Sequence, residues 1–395
     1  MPKEVLCLTL DTNSAFQYQW KVWHYMGIKA PENINRKLYQ LYAVFINSFV
    51  TLLFPLTLIV NVFLAQNLQQ LCENLTITLS DSLANVKFIN VYLVRHELDS
   101  IQLILRRLDS RIQTRGEYNI LKSAIRKAQT TFLIFLRLFT VGTVLSVVKI
   151  ILAEKRSLLY PAWFGVNWEE SAFKYAIVIS YQLFGLIVQA LQNVANDSYP
   201  PSYLIILTGH MEALEIRVKA LGNHADGTLK VSLTAKEQND CLKELNECIK
   251  DYINILKLHS TIQRVISKAC LAQFVCSALI QCIVGLHFLY VVDTADYEAT
   301  ILSVIFFVAI TMEVFVICYF GQMMSLQSWN LTYAFYSCGW LAQSPIFKRN
   351  LIITLIRTQR TSIILAGSYI PLNLPTFVQL MKFAYSTFTL LIRFK

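Results

Sequence analysis

Residues 41–65 read LYAVFINSFVTLLFPLTLIVNVFLA, with no charged side chain anywhere in the run. A bilayer core about 30 Å thick is crossed by roughly 20 apolar helical residues. The stretch is therefore predicted to be a membrane-spanning helix. Pro55, near its centre, is expected to kink it, which a helix inside a bundle tolerates.

Working outward, the same reading finds further spans at Thr130–Leu152 (interrupted by Arg137 and Lys149), Phe173–Leu207, Ala269–Val292, Thr300–Phe320 and Ile363–Phe394. Phe173–Leu207 exceeds one crossing, and Pro200-Pro201 is expected to break any single straight helix there. An apolar-basic helix near Ile346–Arg357 precedes the last span. Leu71–Val94 is the weakest block, because it contains Asp81, Asn85 and Lys87. It reads either as a surface amphipathic helix or as a span whose polar face lines a cavity. The second reading is preferred, since polar residues within a membrane usually face the bundle interior. The outcome is an all-α polytopic membrane protein with seven transmembrane helices.

Composition agrees: 55% of residues are hydrophobic and 15% charged, against about 25% charged in soluble domains. Mean hydropathy is +0.46. The net charge of +10 does not point to nucleic acid, because the basic residues sit between the apolar blocks. There they report orientation. Lys and Arg crowd the N-terminal segment, Arg95–Lys127, Thr208–Lys268 and the stretch from Lys348 to Arg360, whereas the alternate loops hold only Lys155 and Arg156 and the loop Asp293–Glu298 is purely acidic. This asymmetry predicts a cytosolic N-terminus and an extracellular C-terminus.

The organisation that follows begins with a cytosolic N-terminal segment at 1–40. Transmembrane helices 1–4 occupy 41–207, with a cytosolic extension at 95–127. A cytosolic helical anchor region fills 208–268, where Leu242, Leu245, Ile249, Tyr252, Ile253 and Leu256 recur at helical spacing. Helices 5 and 6 take 269–320, a second cytosolic anchor segment 321–362, and helix 7 spans 363–395. Met1–Tyr39 lacks a basic start followed by an apolar core, so the first span is expected to act as the insertion signal.

Chemistry-bearing motifs are missing. There is no phosphate-binding G-x-x-x-x-G-K-[ST], no H-E-x-x-H and no G-x-S-x-G. The six histidines are scattered, so neither an enzyme nor a metal or cofactor site is expected. The nine cysteines form no C-x-x-C pair and read as free thiols. Sequons at Asn74, Asn196 and Asn330 read as chance occurrences, and only Asn74 falls near an external loop.

The C-terminal third carries a more specific pattern: Tyr336-Ser337 with Trp340, the run Phe347-Lys348-Arg349 to Leu355-Ile356-Arg357, Gly367, Phe377, and the ending Tyr385-Ser386-Thr387-Phe388-Thr389-Leu390-Leu391. Pro161-Ala162-Trp163-Phe164 adds weaker support. These residues resemble the insect odorant receptor family, whose layout matches over nearly the whole chain. The T-Y-x5-Q-F ending of the related gustatory receptors is missing. So is the cytosolic insertion that lengthens the odorant co-receptor, so the chain looks like a ligand-tuned subunit.

The resemblance implies a tetrameric, ligand-gated, non-selective cation channel in the sensory-neuron plasma membrane. It is assembled with the co-receptor, and the last helix of each subunit lines one pore. It implies a small volatile organic ligand in the outer half of the bundle, between spans two, three, four and six. Candidates there are Thr78, Ser82, Ser146, Tyr175, Tyr181, Phe306 and Phe307, each of which also reads as ordinary helix packing. In the last helix Gln379, Lys382, Ser386, Leu390, Arg393 and Phe394 share one face. A polar stripe closing on Leu390 and Phe394 suits a constriction that gates by dewetting. The other reading is that this face packs against a neighbouring helix. Lys382 would oppose cation flow, although only some subunits of a mixed tetramer would contribute it. A secondary transporter would predict an internal repeat with broken helices, and none is visible. A G-protein-coupled receptor would have the opposite orientation and the D-R-Y and N-P-x-x-Y motifs, which are absent.

Overall fold

The apolar blocks form helices, and most continue far beyond the thickness of a bilayer. The computed structural model describes residues 10–31, 34–152, 156–223, 233–293 and 297–392. A short 3-10 turn, Thr12–Phe16, leads into α1 (Gln17–Tyr25). Next comes α2 (Arg36–Ile46), whose start is capped by Asn35 accepting from the Lys37 amide. It runs through a π-helical stretch, Asn47–Leu53, into α3 (Phe54–Phe63). The π stretch lies just before Pro55, which has no N–H to complete a regular ladder. Asn47 reinforces the irregular region by donating to the carbonyls of Ala43 and Met26.

α4 (Leu68–Leu93) is capped by Asn67 and followed by the amphipathic α5 (Arg95–Asp109). Four long helices come next: α6 (Arg115–Leu152), α7 (Ala172–Lys219), α8 (Ala235–Asp293) and α9 (Tyr297–Ser337). At 59 residues, α8 is about 90 Å long at the usual helical rise. The spans therefore run without interruption into the charged extensions. The chain closes with α10 (Pro345–Thr358), a hairpin of β1 (Leu365–Ala366) with β2 (Ile370–Pro371), and α11 (Leu374–Ile392).

Two expectations about helix limits are corrected. Pro200-Pro201 does not end a helix, because α7 continues through both as one element. The prolines are buried among close-packed residues, with Tyr199 and Tyr203 beside them. Packing outweighs the loss of two amide donors. The last span does not begin at Ile363. Gly367 and Ser368 adopt positive φ (58° and 68°) and turn the chain into the hairpin, so the helix starts only at Leu374. Pro375 then falls in its first turn, where a missing N–H costs nothing.

Among the described residues five helical stretches are long and apolar enough to cross a membrane: α2–α3 together, α6, α7, α8 and α9. With α4 and α11, the more polar and the shorter blocks that the sequence reading assigns as spans, the bundle has seven. In the apolar window of α8, 56% of residues are buried, against 17% for α2–α3, so α8 is central and α2–α3 lies at the rim. Leu98, Ile101 and Leu105 of α5 are fully buried, together with Leu258 of α8 and Phe335 of α9, in the core of the extensions. The N-terminal segment docks there through aromatic contacts. Phe16 lies against Tyr203 with ring centroids 4.3 Å apart, and Trp23 lies against Tyr199 at 5.5 Å.

The extensions are also tied by charge. Arg217 on α7 donates to Glu117 Oε2 (2.7 Å) and Asp251 Oδ2 (2.5 Å), while Arg111 reaches Asp251 and Glu244 at 3.2 and 3.0 Å. These bonds join α6, α7, α8 and the turn after α5. Charge-assisted bonds of this kind offset the cost of burying the Glu117 carboxylate. Nearby, Thr12 donates from its amide and its hydroxyl to Asp109 Oδ2, both at 2.9 Å. Burial pushes the Asp109 carboxyl up to about 6 despite these two donors.

Candidate functional site

A cavity of about 320 Å³ lies between α3, α4, α6, α7, α8 and α9, at the end of the bundle remote from α5 and α10. This volume falls in the range of small-molecule sites. Its wall is mainly apolar, with Phe54 and Leu58 from α3, Phe139 from α6, Ile280 and Val284 from α8, and Phe306 from α9.

The segment after α6 caps it. Leu159 and Tyr160 line the cavity from above. They are held by Gln182 of α7, whose Oε1 accepts from the Leu159 amide (3.0 Å) and whose Nε2 donates to the Tyr160 carbonyl (3.0 Å). Trp163 fastens the same segment to α3 by donating from its amide to the Thr57 carbonyl at 3.1 Å. The quartet Pro161-Ala162-Trp163-Phe164 therefore belongs to this cap.

Charge is concentrated at the floor. Lys87 of α4 forms an ion pair with Asp197 of α7, and both side chains are only 4% exposed. Glu313 of α9 lies within electrostatic reach of this pair and accepts from Gln273 Nε2 at 2.8 Å. Lys87 and Glu313 both line the cavity. The charges of α4 thus point into the bundle, as the cavity-lining reading of that weak block expects.

Of the seven sequence-predicted ligand residues, the cavity brings together Ser146 and Phe306. Thr78 is buried and donates to the Asn74 carbonyl of its own helix. Ser82 is half-buried on α4 away from the lining. Tyr175 and Tyr181 donate to the carbonyls of Ser157 and Phe49, bracing the cap and the π-helical stretch before α3 rather than facing the space. Phe307 is exposed on the outside of α9. Sequence reasoning missed Gln189 and Asn193 of α7, Ser80 of α4, and the contributions of α3 and α8. The usable signal was the set of amide side chains inside the apolar first half of α7.

On α11, Gln379, Lys382, Ser386 and Leu390 are all exposed, whereas Arg393 and Phe394 lie outside the described residues. The opposite face of α11 packs on α8: Cys282 Sγ donates to the Ala384 carbonyl at 3.4 Å. A Cβ at Gly285 would come within 2.8 Å of the Phe388 ring. Gln281 bridges Thr311 Oγ1 and Met381 Sδ.

Among the described residues no group of His, Cys, Asp and Glu is arranged to hold a metal. The eight described cysteines are free, and Cys7 lies outside the described residues. Asn74 and Asn196 are buried, with Asn196 accepting from Trp23.

A helical bundle with a capped, ligand-sized cavity is the architecture of a polytopic membrane protein with room for a small molecule. The family described as 7tm Odorant receptor matches residues 67–385. The chain is 49% identical to odorant receptor 2a of Drosophila melanogaster over 389 residues, 98% of each chain. It is 28% identical to odorant receptor 33b of the same organism over 382 residues, 96% of this chain and 97% of that one. The solved structure of the insect olfactory receptor OR5 from Machilis hrabei in complex with eugenol superposes with a TM-score of 0.80 at 14% identity, covering 98% of this chain and all of that one. This chain belongs to the odorant receptor family and is a multi-pass membrane receptor, not an enzyme.

Proposed function

We propose that this receptor is the odorant-tuned subunit of a heteromeric, non-selective cation channel, and that a small volatile molecule in the capped cavity opens a pore lined by α11. The observation that carries this reading is the cavity itself: apolar, closed above by the Gln182-held cap, and of a size for one small ligand. Burial supplies affinity in such a site, and a few polar groups orient the ligand.

The exposed face of α11 supports the pore assignment. Gln379, Lys382, Ser386 and Leu390 are exposed among the described residues, as expected of a face completed by other subunits around an axis. The co-receptor supplies those subunits in a tetramer, and Lys382 then forms an incomplete positive ring. The N-terminus and the charged extensions lie in the cytosol, and the capped end faces outward.

The test is current recording from cells expressing this chain together with the co-receptor, against chemically diverse volatiles. Odorant-evoked, cation-carried current is expected. Normal surface assembly with no current from a broad panel would remove the channel reading.

A further inference from the structure

The polar groups on the cavity wall are unevenly matched. Thr76, Ser80, Thr143 and Ser146 each donate their hydroxyl proton to a carbonyl one turn back in their own helix, at 2.8–3.0 Å. Towards a ligand they offer only lone pairs. Asp81, also on the wall, is 7% exposed, receives a 3.3 Å bond from Asn85 Nδ2, and makes no ion pair among the described residues. It presents an acceptor oxygen in either protonation state. Gln189 of α7 lines the same cavity, is 4% exposed, and neither its Nε2 nor its Oε1 has a hydrogen-bond partner.

The two side chains lie at one level. Gln192 donates to Ala84 O and Asn85 Oδ1, and one turn on Lys87 pairs with Asp197, so α4 and α7 run in the same direction here. Asp81 lies four residues before Asn85 and Gln189 three before Gln192. These offsets are about 6 and 4.5 Å along nearly parallel axes.

We propose that Asp81 and Gln189 form a polar subsite that selects ligands bearing a hydroxyl group, an inference that rests on the cavity being the ligand site. The ligand O–H donates to Asp81 and its oxygen accepts from Gln189 Nε2. An ether or ester satisfies Gln189 but has no proton to donate to Asp81. Leaving a buried polar group unpaired is what gives such sites their discrimination. Lys87 does not compete for the hydroxyl, because Asp197 and Glu313 engage it.

The test uses the full chain in lipid nanodiscs, titrated with n-octanol and its isomer heptyl methyl ether. Ligand-induced thermal stabilisation is read out, and current in cells with the co-receptor is recorded in parallel. Octanol is expected to half-saturate at a concentration at least about 10-fold below the ether. Asp81→Leu should bring octanol to the level of the ether while leaving ether binding in place, which also verifies that the variant is folded, and Gln189→Leu should weaken octanol and ether alike. If one variant fails to fold, the other decides. Equal binding of octanol and ether by the parent, no binding of either, an octanol preference that survives Asp81→Leu, or undiminished binding of both by Gln189→Leu would overturn the subsite. Octanol-selective binding without current would instead sink the channel reading and leave the subsite standing.

Discussion

Replacing Lys87 with Met tests the electrostatics of the cavity floor. The substitution keeps most of the side chain's length and removes only the charge. It leaves Asp197 buried without its cation and Glu313 without the ammonium within its reach. Removing one member of a buried ion pair typically costs about 3–5 kcal/mol, because the remaining charge can neither reach water nor find a partner. Glu313 keeps the Gln273 donor, so the loss falls mainly on Asp197. For a large domain such a loss lowers the thermal midpoint by roughly 5 °C or more. The assay is thermal unfolding of the purified protein, with cell-surface abundance measured in parallel. The double variant Lys87→Met/Asp197→Leu replaces both charges with apolar groups and should recover most of the loss, since an apolar pair of similar volume is often neutral. A single variant within about 1 °C of the parent, or a double variant as damaged as the single one, would refute the reasoning.

Gly321→Ala should destabilise by about 1–3 kcal/mol, because a Cβ there would sit 2.2 Å from the Leu372 carbonyl oxygen; surface abundance and thermal midpoint report it. Leu390→Ala, alone or with Phe394→Ala, should raise basal current or change permeation, and unchanged currents would assign that face of α11 to packing. The Asp109 carboxyl is pushed up to about 6 in the folded chain, above its unfolded value. Its contribution to stability is therefore full at low pH and is lost as pH rises through about 6. The parent should gain in thermal midpoint relative to Asp109→Asn between about pH 7.5 and about pH 5; no pH-dependent difference would refute the linkage.

The spans were legible because a bilayer imposes a length and an exclusion of charge that composition records directly. Residues 41–65 could hardly be read otherwise. The helical extensions were legible from the spacing of residues such as Leu245, Ile249 and Tyr252. Local rules misled where tertiary packing outweighed them. Pro200-Pro201 is a strong stop signal, yet close packing around Tyr199 and Tyr203 carries α7 through it. The hairpin before α11 was hidden because Gly367 and Ser368 sit among apolar residues that extend the look of a span. The site was legible as a location but poorly as a set of residues. Tyr175 and Tyr181 are aromatic and well placed in sequence, but their hydroxyls are spent on carbonyls of the cap and the π-helical stretch before α3. Whether Gln189 is satisfied depends on side chains from other helices, which no periodicity within α7 reveals.

One stretch of α8 separates the cavity from the last helix. Ile280, Val284 and His287 face the cavity, while Gln281, Cys282 and Gly285, on the other side of the same turns, hold α11 through Met381, Ala384 and Phe388. The partition between the chamber and α11 is thus a single helix thick. An α-helix does not compress across its axis, so a few tenths of an ångström of outward push on Ile280 or Val284 has no soft layer in which to dissipate. It is delivered to the Phe388 ring, which already fits against Gly285 with no room for a methyl group. An occupant bulky enough to shift Ile280 or Val284 would therefore also shift the seat of the Phe388 ring.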